Sequence, residues 1–248
     1  MDEALIVAGF FVGGLVASEI GFHLGLAFSP KDDAFGQKLD VIRTATFALV
    51  AFLIAFAFSG AGQRYIDRLD IIVKEANALG TAWLRTDVLP EPQRSEIRAT
   101  LEEYTADRVA ILSTGDQDEI ERLLAKVSDL QTKMWAAALA GAKDNAPMMM
   151  LILPPLNDVF DLHTTHVALA HRHLPLLILI VLLGTAALSL VLVGFGNGRS
   201  GRRSPMLDAV YAAVLTVALW VTVDLDHPRK GLIQVSAQPI ADTLAGMK

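Results

Sequence analysis

Residues 174–195, LPLLILIVLLGTAALSLVLVGF, contain no charged side chain. About 20 helical residues are needed to cross the hydrocarbon core of a bilayer. Because lipid offers no hydrogen bonds to the backbone, such a run must form a helix that satisfies its own amide and carbonyl groups. The stretch therefore predicts a membrane-spanning α-helix.

Three more apolar runs of comparable character lie elsewhere in the chain. They cover residues 4–28, 42–60 and 206–223. The chain begins Met1-Asp2-Glu3, which lacks the positive charge of a cleavable signal peptide, so the first run is expected to be retained as a membrane helix. Together the four runs predict a multi-pass protein of the cell membrane, with the lipid bilayer as its surroundings.

The segment between the second and third runs, residues 61–173, is more polar but keeps helical spacing. Ile72, Ala76 and Leu79 recur every three or four residues. No proline interrupts the chain between the second run and Pro90, so the second membrane helix is expected to continue outward as one rod.

Further helices are predicted after Pro92 and from Asp116, which Glu119 follows three residues later as in a capping box. A break is expected at Pro154-Pro155, and residues 224–248 are expected to form an irregular polar tail. The predicted fold class is all-α: a four-helix transmembrane protein with a helical extramembrane domain inserted between the second and third membrane helices.

Composition narrows the classes of function. Hydrophobic residues make up 53% of the chain and charged residues 19%, with a mean hydropathy of +0.44. The absence of cysteine excludes disulfides and thiolate chemistry. A net charge of −6 without any basic tract indicates no nucleic-acid partner. No catalytic or cofactor-binding motif is present, so neither an enzyme nor a cofactor is predicted.

Charge does not decide the orientation in the membrane. Basic residues such as Arg64 and Arg172 border the central domain, whereas Arg202 and Arg203 lie in a short connecting loop on the opposite side. The numbers of basic residues on the two sides balance, and the rule that positively charged loops stay in the cytosol is most reliable for short loops. The topology stays open at this point.

In the second apolar run, Ala48, Phe52, Phe56, Ser59 and Gln63 recur at spacings of three and four, which puts them on one helix face. We call this set the phenylalanine stripe. If several copies surrounded an axis, rings of Phe52 and Phe56 would form an apolar constriction that gates ions by dewetting. Phenyl edges carry partial positive charge and tolerate anions better than cations. A stripe that faces lipid or packs on neighbouring helices is the structural alternative.

Glu19 and His23 stand four residues apart in the first run, on one face. Ionisable groups inside a membrane are costly and often functional, so this polar pair is a candidate for a role in ion movement. A mutually satisfied pair is the structural alternative. Small residues in the same run predict close packing against another helix; they are Gly13, Gly14, Gly21 and Gly25.

Imidazole and carboxylate groups suit zinc, and several lie close together in sequence: Asp158, Asp161, His163, His166, His171 and His173. Asp161, His163 and His166 are the candidates for metal ligands among them. Their spacing matches no standard zinc motif. Histidines are also common at membrane surfaces. The sequence therefore predicts no metal site.

Four segments stand in this order along the chain: FLIAFAFSG at residues 52–60, EANALGTAWLR at 75–85, DLHTT at 161–165 and DLDHPRKGLI at 224–233. In that order they resemble the bestrophin-like family of bacterial multi-pass membrane proteins, which is distantly similar to the bestrophin anion channels. The resemblance extends over nearly the whole chain.

Bestrophins are pentameric anion channels with four membrane helices per subunit and a cytosolic helical domain between the second and third. Their second membrane helix lines a neck of bulky apolar residues, so the resemblance implies that Phe52 and Phe56 are neck residues. It also implies a cytosolic central domain. The chain departs from bestrophins in its shorter loops and lacks a clear equivalent of the acidic calcium clasp, so calcium activation is not implied.

The preferred interpretation is a homo-oligomer, with a pentamer expected from the resemblance, that conducts small inorganic anions. A non-conducting sensor or scaffold whose helical domain binds a partner is the main alternative. An enzyme with a metal at Asp158, Asp161, His163 and His166 is another, and an ion-coupled carrier using Glu19 and His23 is a third.

Overall fold

The computed structural model describes residues 3–30, 32–227 and 231–247, and every regular element within them is helical. The α-helices in this part of the chain are α1 (Glu3–Phe28), α2 (Asp33–Arg85), α3 (Gln93–Ser113), α4 (Gln117–Gly141), α5 (Ala146–Ala170), α6 (Leu176–Ser200), α7 (Pro205–Asp226) and α8 (Gln238–Ala245), and a short 3-10 helix, Thr86–Val88, follows α2. The predicted all-helical fold is confirmed. Met1 and Asp2, on which the interpretation of a retained first helix partly depended, lie outside the described residues.

The chain divides into two compact units. The apolar unit comprises Met1–Gln63 and His173–His227, and the polar unit comprises Arg64–Arg172 and Pro228–Lys248. Four helices of the described chain, α1, α2, α6 and α7, are long and apolar enough to cross a membrane. Helix α2 runs without interruption from Asp33 to Arg85, which confirms the predicted rod.

Glycines bring α1 and α6 of the apolar unit into close contact. A Cβ atom on Gly21 would overlap the backbone of Val191, and one on Gly25 would overlap the backbone of Phe195. The contacts advance in the same direction along both helices, so α1 and α6 run parallel. The predicted glycine packing is confirmed at these two positions and at Gly14, where a Cβ atom would lie 3.1 Å from Leu190, whereas a Cβ atom on Gly13 would meet nothing within 4 Å.

Polar side chains tie the helices of the apolar unit together at one end. The Ser18 hydroxyl donates to Asp208 Oδ2 at 3.1 Å, and the Asn197 amide donates to Asp208 Oδ1 at 2.9 Å. The Arg199 guanidinium donates to the backbone carbonyl of Pro30 at 3.1 Å. These bonds connect α1 and the residues that follow it to the end of α6 and the start of α7.

The core of the polar unit is formed by α3, α4, α5, α8 and the second part of α2. Leu79, Leu101, Tyr104 and Leu156 are all fully buried there. The predicted start of α4 is confirmed, because the Asp116 side chain accepts hydrogen bonds from the first backbone amides of that helix.

Two expectations are wrong: a helix break at Pro154-Pro155 and an irregular C-terminal tail. Helix α5 continues through Pro154 and Pro155. Ile152 and Leu156, on either side of the prolines, are fully buried, and this packing offsets the backbone bonds that proline removes. The tail, expected to be irregular, contains α8, whose Ile240 is also fully buried. Tertiary burial, which local sequence does not reveal, explains both differences.

Candidate functional site

The phenylalanine stripe lies on an uncovered face of α2. Phe52 and Phe56 keep 66% and 67% of their surface exposed within the single chain. The other members of the stripe, which are also exposed, are Ala48, Ser59 and Gln63. The opposite face is buried in the apolar unit through Val50, Ala57 and Ala61. The chain by itself therefore leaves the stripe available to lipid or to other copies.

Helix α2 is also the least covered of the four apolar helices. Only 11% of its most apolar window is buried, against 22–28% for α1, α6 and α7. Apolar surface of this extent is unfavourable in water. The helix that carries the stripe is therefore the one least covered within the single chain.

The predicted pair of Glu19 and His23 forms, with His23 Nε2 3.1 Å from Glu19 Oε1. Sequence reasoning missed its third member, Arg203, which precedes α7 and donates two hydrogen bonds to the Glu19 carboxylate at 2.9 and 3.1 Å. The Arg203 guanidinium also lies over the Phe22 ring, 4.3 Å from its centroid. Arg203 belongs to the loop after α6, so a residue outside the apolar runs pairs with the Glu19 carboxylate within α1.

A buried ionic cluster occupies the core of the polar unit. Arg108 of α3 donates to both carboxylate oxygens of Glu75 of α2, from Nε to Oε1 at 2.5 Å and from Nη2 to Oε2 at 3.0 Å. His166 of α5 places Nδ1 2.8 Å from Glu75 Oε2. Glu75 and Arg108 are fully buried. Because a buried charge is stable only beside its partner, the cluster holds α2, α3 and α5 together at one point of the core.

Burial and charge shift the pKa values of this cluster and its neighbour His163. Burial raises the pKa of Glu75, but hydrogen bonds from His166 and Arg108 outweigh this effect and lower the pKa to about 2. Burial lowers the pKa of His163 to about 4, and the positive charge of Arg108 acts in the same direction. His163 packs edge-on against Tyr104, with centroids 6.2 Å apart. Glu75 is therefore ionised and His163 neutral near pH 7.

The structure does not gather Asp161, His163 and His166 into one ligand set. Asp161 is exposed and accepts a hydrogen bond from the Asn157 amide at 2.8 Å. The two histidines are buried among the core residues of the polar unit described above. Among the described residues, a different set brings three ligand atoms within 4.8 Å of one another: His173, Asp226 and His227. Sequence reasoning singled out neither Asp226 nor His227 as ligands, because they are far from His173 along the chain.

Comparisons with known proteins agree with this architecture. Crystal structures of a bacterial bestrophin homologue from Klebsiella pneumoniae align with almost the whole chain. One variant gives a TM-score of 0.69 at 14% identity and covers 100% of this chain and 98% of that chain. The structure obtained by Zn-SAD phasing gives a TM-score of 0.67 at 13% identity and covers 97% and 98% respectively. At such low identity the likeness establishes the fold.

A search of curated proteins found no match. The family description "Bestrophin-like domain" matches residues 39–240, which is most of the chain. None of these matches indicates an enzyme family. The chain therefore belongs to the Bestrophin-like family of membrane proteins.

Proposed function

We propose that this protein is a homo-oligomeric channel of the cell membrane that conducts small inorganic anions through a pore lined by the phenylalanine stripe. Family membership supports the proposal, because bestrophins are anion channels. The observation that carries it is the exposure of Phe52 and Phe56 on the least covered apolar helix.

In the proposed topology α1, the first part of α2, α6 and α7 cross the bilayer, with spans near residues 4–28, 42–60, 174–195 and 206–223. The helical domain of residues 61–173 and the tail of residues 224–248 lie outside it, on the cytosolic side. Support comes from large exposed side chains on all four helices, among them Val16, Leu49, Ile180 and Val214. Contact with lipid instead of water removes the free-energy cost of exposing these apolar side chains.

One stripe cannot enclose a pore, so the proposal requires several copies around an axis. A pentamer, as in bestrophins, would bring the Phe52 and Phe56 rings together in a dry neck. Such a neck passes ions by transient wetting, and ring edges turned to the axis would favour anions. Ser59 and Gln63, at the end of the stripe, would supply hydrogen-bond donors to a partly dehydrated anion.

The proposal is tested by chloride flux in liposomes that contain the purified protein. Phe56→Ala widens the proposed neck, and we expect a several-fold change in flux rate or in the preference among anions. Phe58→Ala is the matched control, because Phe58 is also exposed on α2 but lies on another side of the helix. We expect this variant to conduct like the wild type.

Two results would count against the proposal. Absence of flux in the folded, reconstituted wild-type protein would remove conduction itself and favour a sensor or scaffold. Equal effects of Phe56→Ala and Phe58→Ala would leave conduction standing but would place the pore away from the stripe.

A further inference from the structure

The end of α7 and the chain that enters α6 meet in a compact group of side chains within the apolar unit. His173 Nδ1 lies 3.0 Å from the backbone carbonyl of Asp226, and the backbone amide of Leu174 donates to Asp226 Oδ2 at 2.6 Å. His227 follows directly, and its ring stacks on that of His173 with centroids 4.8 Å apart and planes 11° apart. The channel proposed above uses none of these residues.

The hydrogen bonds of the two histidines define which ring nitrogen can bind a ligand. His227 Nδ1 lies 3.0 Å from the backbone carbonyl of Val223, just as His173 Nδ1 lies near the Asp226 carbonyl. A carbonyl oxygen only accepts, so each Nδ1 must carry the proton. In the neutral rings, the lone pair is then on Nε2 in both cases. Metal-binding histidines are typically oriented in this way, with the other ring nitrogen donating to a carbonyl or carboxylate.

The carboxylate of Asp226 completes a set of two nitrogens and one oxygen. Its side chain is only 3% exposed, whereas that of His173 is 41% exposed, so the carboxylate is held inside while an imidazole remains accessible from solvent. One ring nitrogen of each histidine and a carboxylate oxygen of Asp226 lie within 4.8 Å of one another, and His173 Nδ1 is 3.6 Å from Asp226 Oδ2. Tetrahedral zinc with bonds near 2.1 Å needs ligand atoms about 3.4 Å apart, so the two rings must turn to bring Nε2 toward the carboxylate when the ion binds.

We propose that His173, Asp226 and His227 bind a divalent transition-metal ion, with zinc as the best fit. Two imidazoles with a carboxylate suit zinc and its neighbours, whereas Ca²⁺ and Mg²⁺ take oxygen ligands. Three protein ligands leave the fourth position of a tetrahedral ion to water or to another small ligand. The ion joins the segment before α6 to the end of α7 and limits their separation.

The test is calorimetric titration of Zn²⁺ into purified, tag-free, metal-stripped protein in detergent. We expect one ion per chain, and we expect His173→Ala and His227→Ala each to weaken binding by about tenfold or more. His171→Ala is the control, because His171 is an exposed histidine of the same segment outside the group. Titration with Ca²⁺ should show no comparable binding.

His227 is exposed, so its variant should keep the fold, which helix content and elution volume will check. If His173→Ala misfolds, His227→Ala decides the matter alone. The proposal is overturned if zinc does not bind at one ion per chain, if His227→Ala binds as tightly as the wild type, or if His171→Ala weakens binding equally.

Discussion

At the scale of single residues, the stability of the polar unit depends on a buried ion pair, because an apolar core cannot solvate a charge that has lost its partner. Glu75 and Arg108 are both fully buried and share two hydrogen bonds. Removing one partner of such a pair typically costs about 3–5 kcal/mol, because the other charge is left buried without compensation. His163, next to this cluster, is instead kept neutral by burial and by the charge of Arg108.

His163 gives the protein a predicted sensitivity to acid. Its pKa is about 4 in the folded protein and 6.5 by reference, so between these values the unfolded chain binds a proton that the folded chain does not. The stabilisation is complete above pH 6.5 and is lost as the pH falls toward 4, by roughly 2–4 kcal/mol in total. Besides Arg108, the charged or titratable groups that act on His163 are Glu75 and His166.

His163→Phe removes the titration and keeps a ring against Tyr104. We therefore expect its free energy of unfolding to fall less than that of the wild type between about pH 7 and about pH 4.5. Chemical unfolding curves at both pH values measure this difference. His171→Phe is the control and should behave like the wild type, and parallel pH curves for His163→Phe and the wild type would disprove the role of His163.

At the scale of elements, the spacing of apolar residues predicted those helices that the local sequence determines. The rod of α2 was predictable because apolar spacing continues past residue 60 without a proline. The continuation of α5 through Pro154 and Pro155 was not predictable, since it depends on burial of Ile152 against other helices. The contact between His173 and Asp226 was not predictable either, because the two residues are 53 positions apart and no local pattern connects them.

The contact between α1 and α6 permits a matched prediction on one helix. A Cβ atom on Gly194 would overlap the backbone carbonyl of Ser18, so Gly194→Ala must push the helices apart and should destabilise the protein by about 1–3 kcal/mol. Gly184 has no such neighbour within 4 Å, and Gly184→Ala should be neutral or slightly stabilising, since alanine favours helix. Thermal unfolding in detergent compares the two, and equal effects would contradict glycine-dependent packing.

At the scale of the whole molecule, α2 has a smaller buried share of its apolar window than any other apolar helix of the unit. Lipid can cover any apolar face, and Ser59 and Gln63 continue the stripe of Phe52 and Phe56 where α2 leaves the proposed span. A shared axis fits the same order of residues, because a stripe that faces a pore can be aromatic at its narrow part and polar where water enters. The two arrangements differ in which face of α2 meets another copy, and this difference can be tested.

The absence of cysteine makes this assembly directly testable, since any introduced thiol is the only one in the chain. We expect native mass spectrometry to give the mass of a pentamer, and we expect oxidation of Phe52→Cys to link copies into covalent dimers. Phe58→Cys, exposed on another side of α2, should link far less, because its thiol would face lipid. The mass of a single chain would contradict assembly, whereas a pentamer that links equally through both positions would mean that α2 turns a different face to the axis.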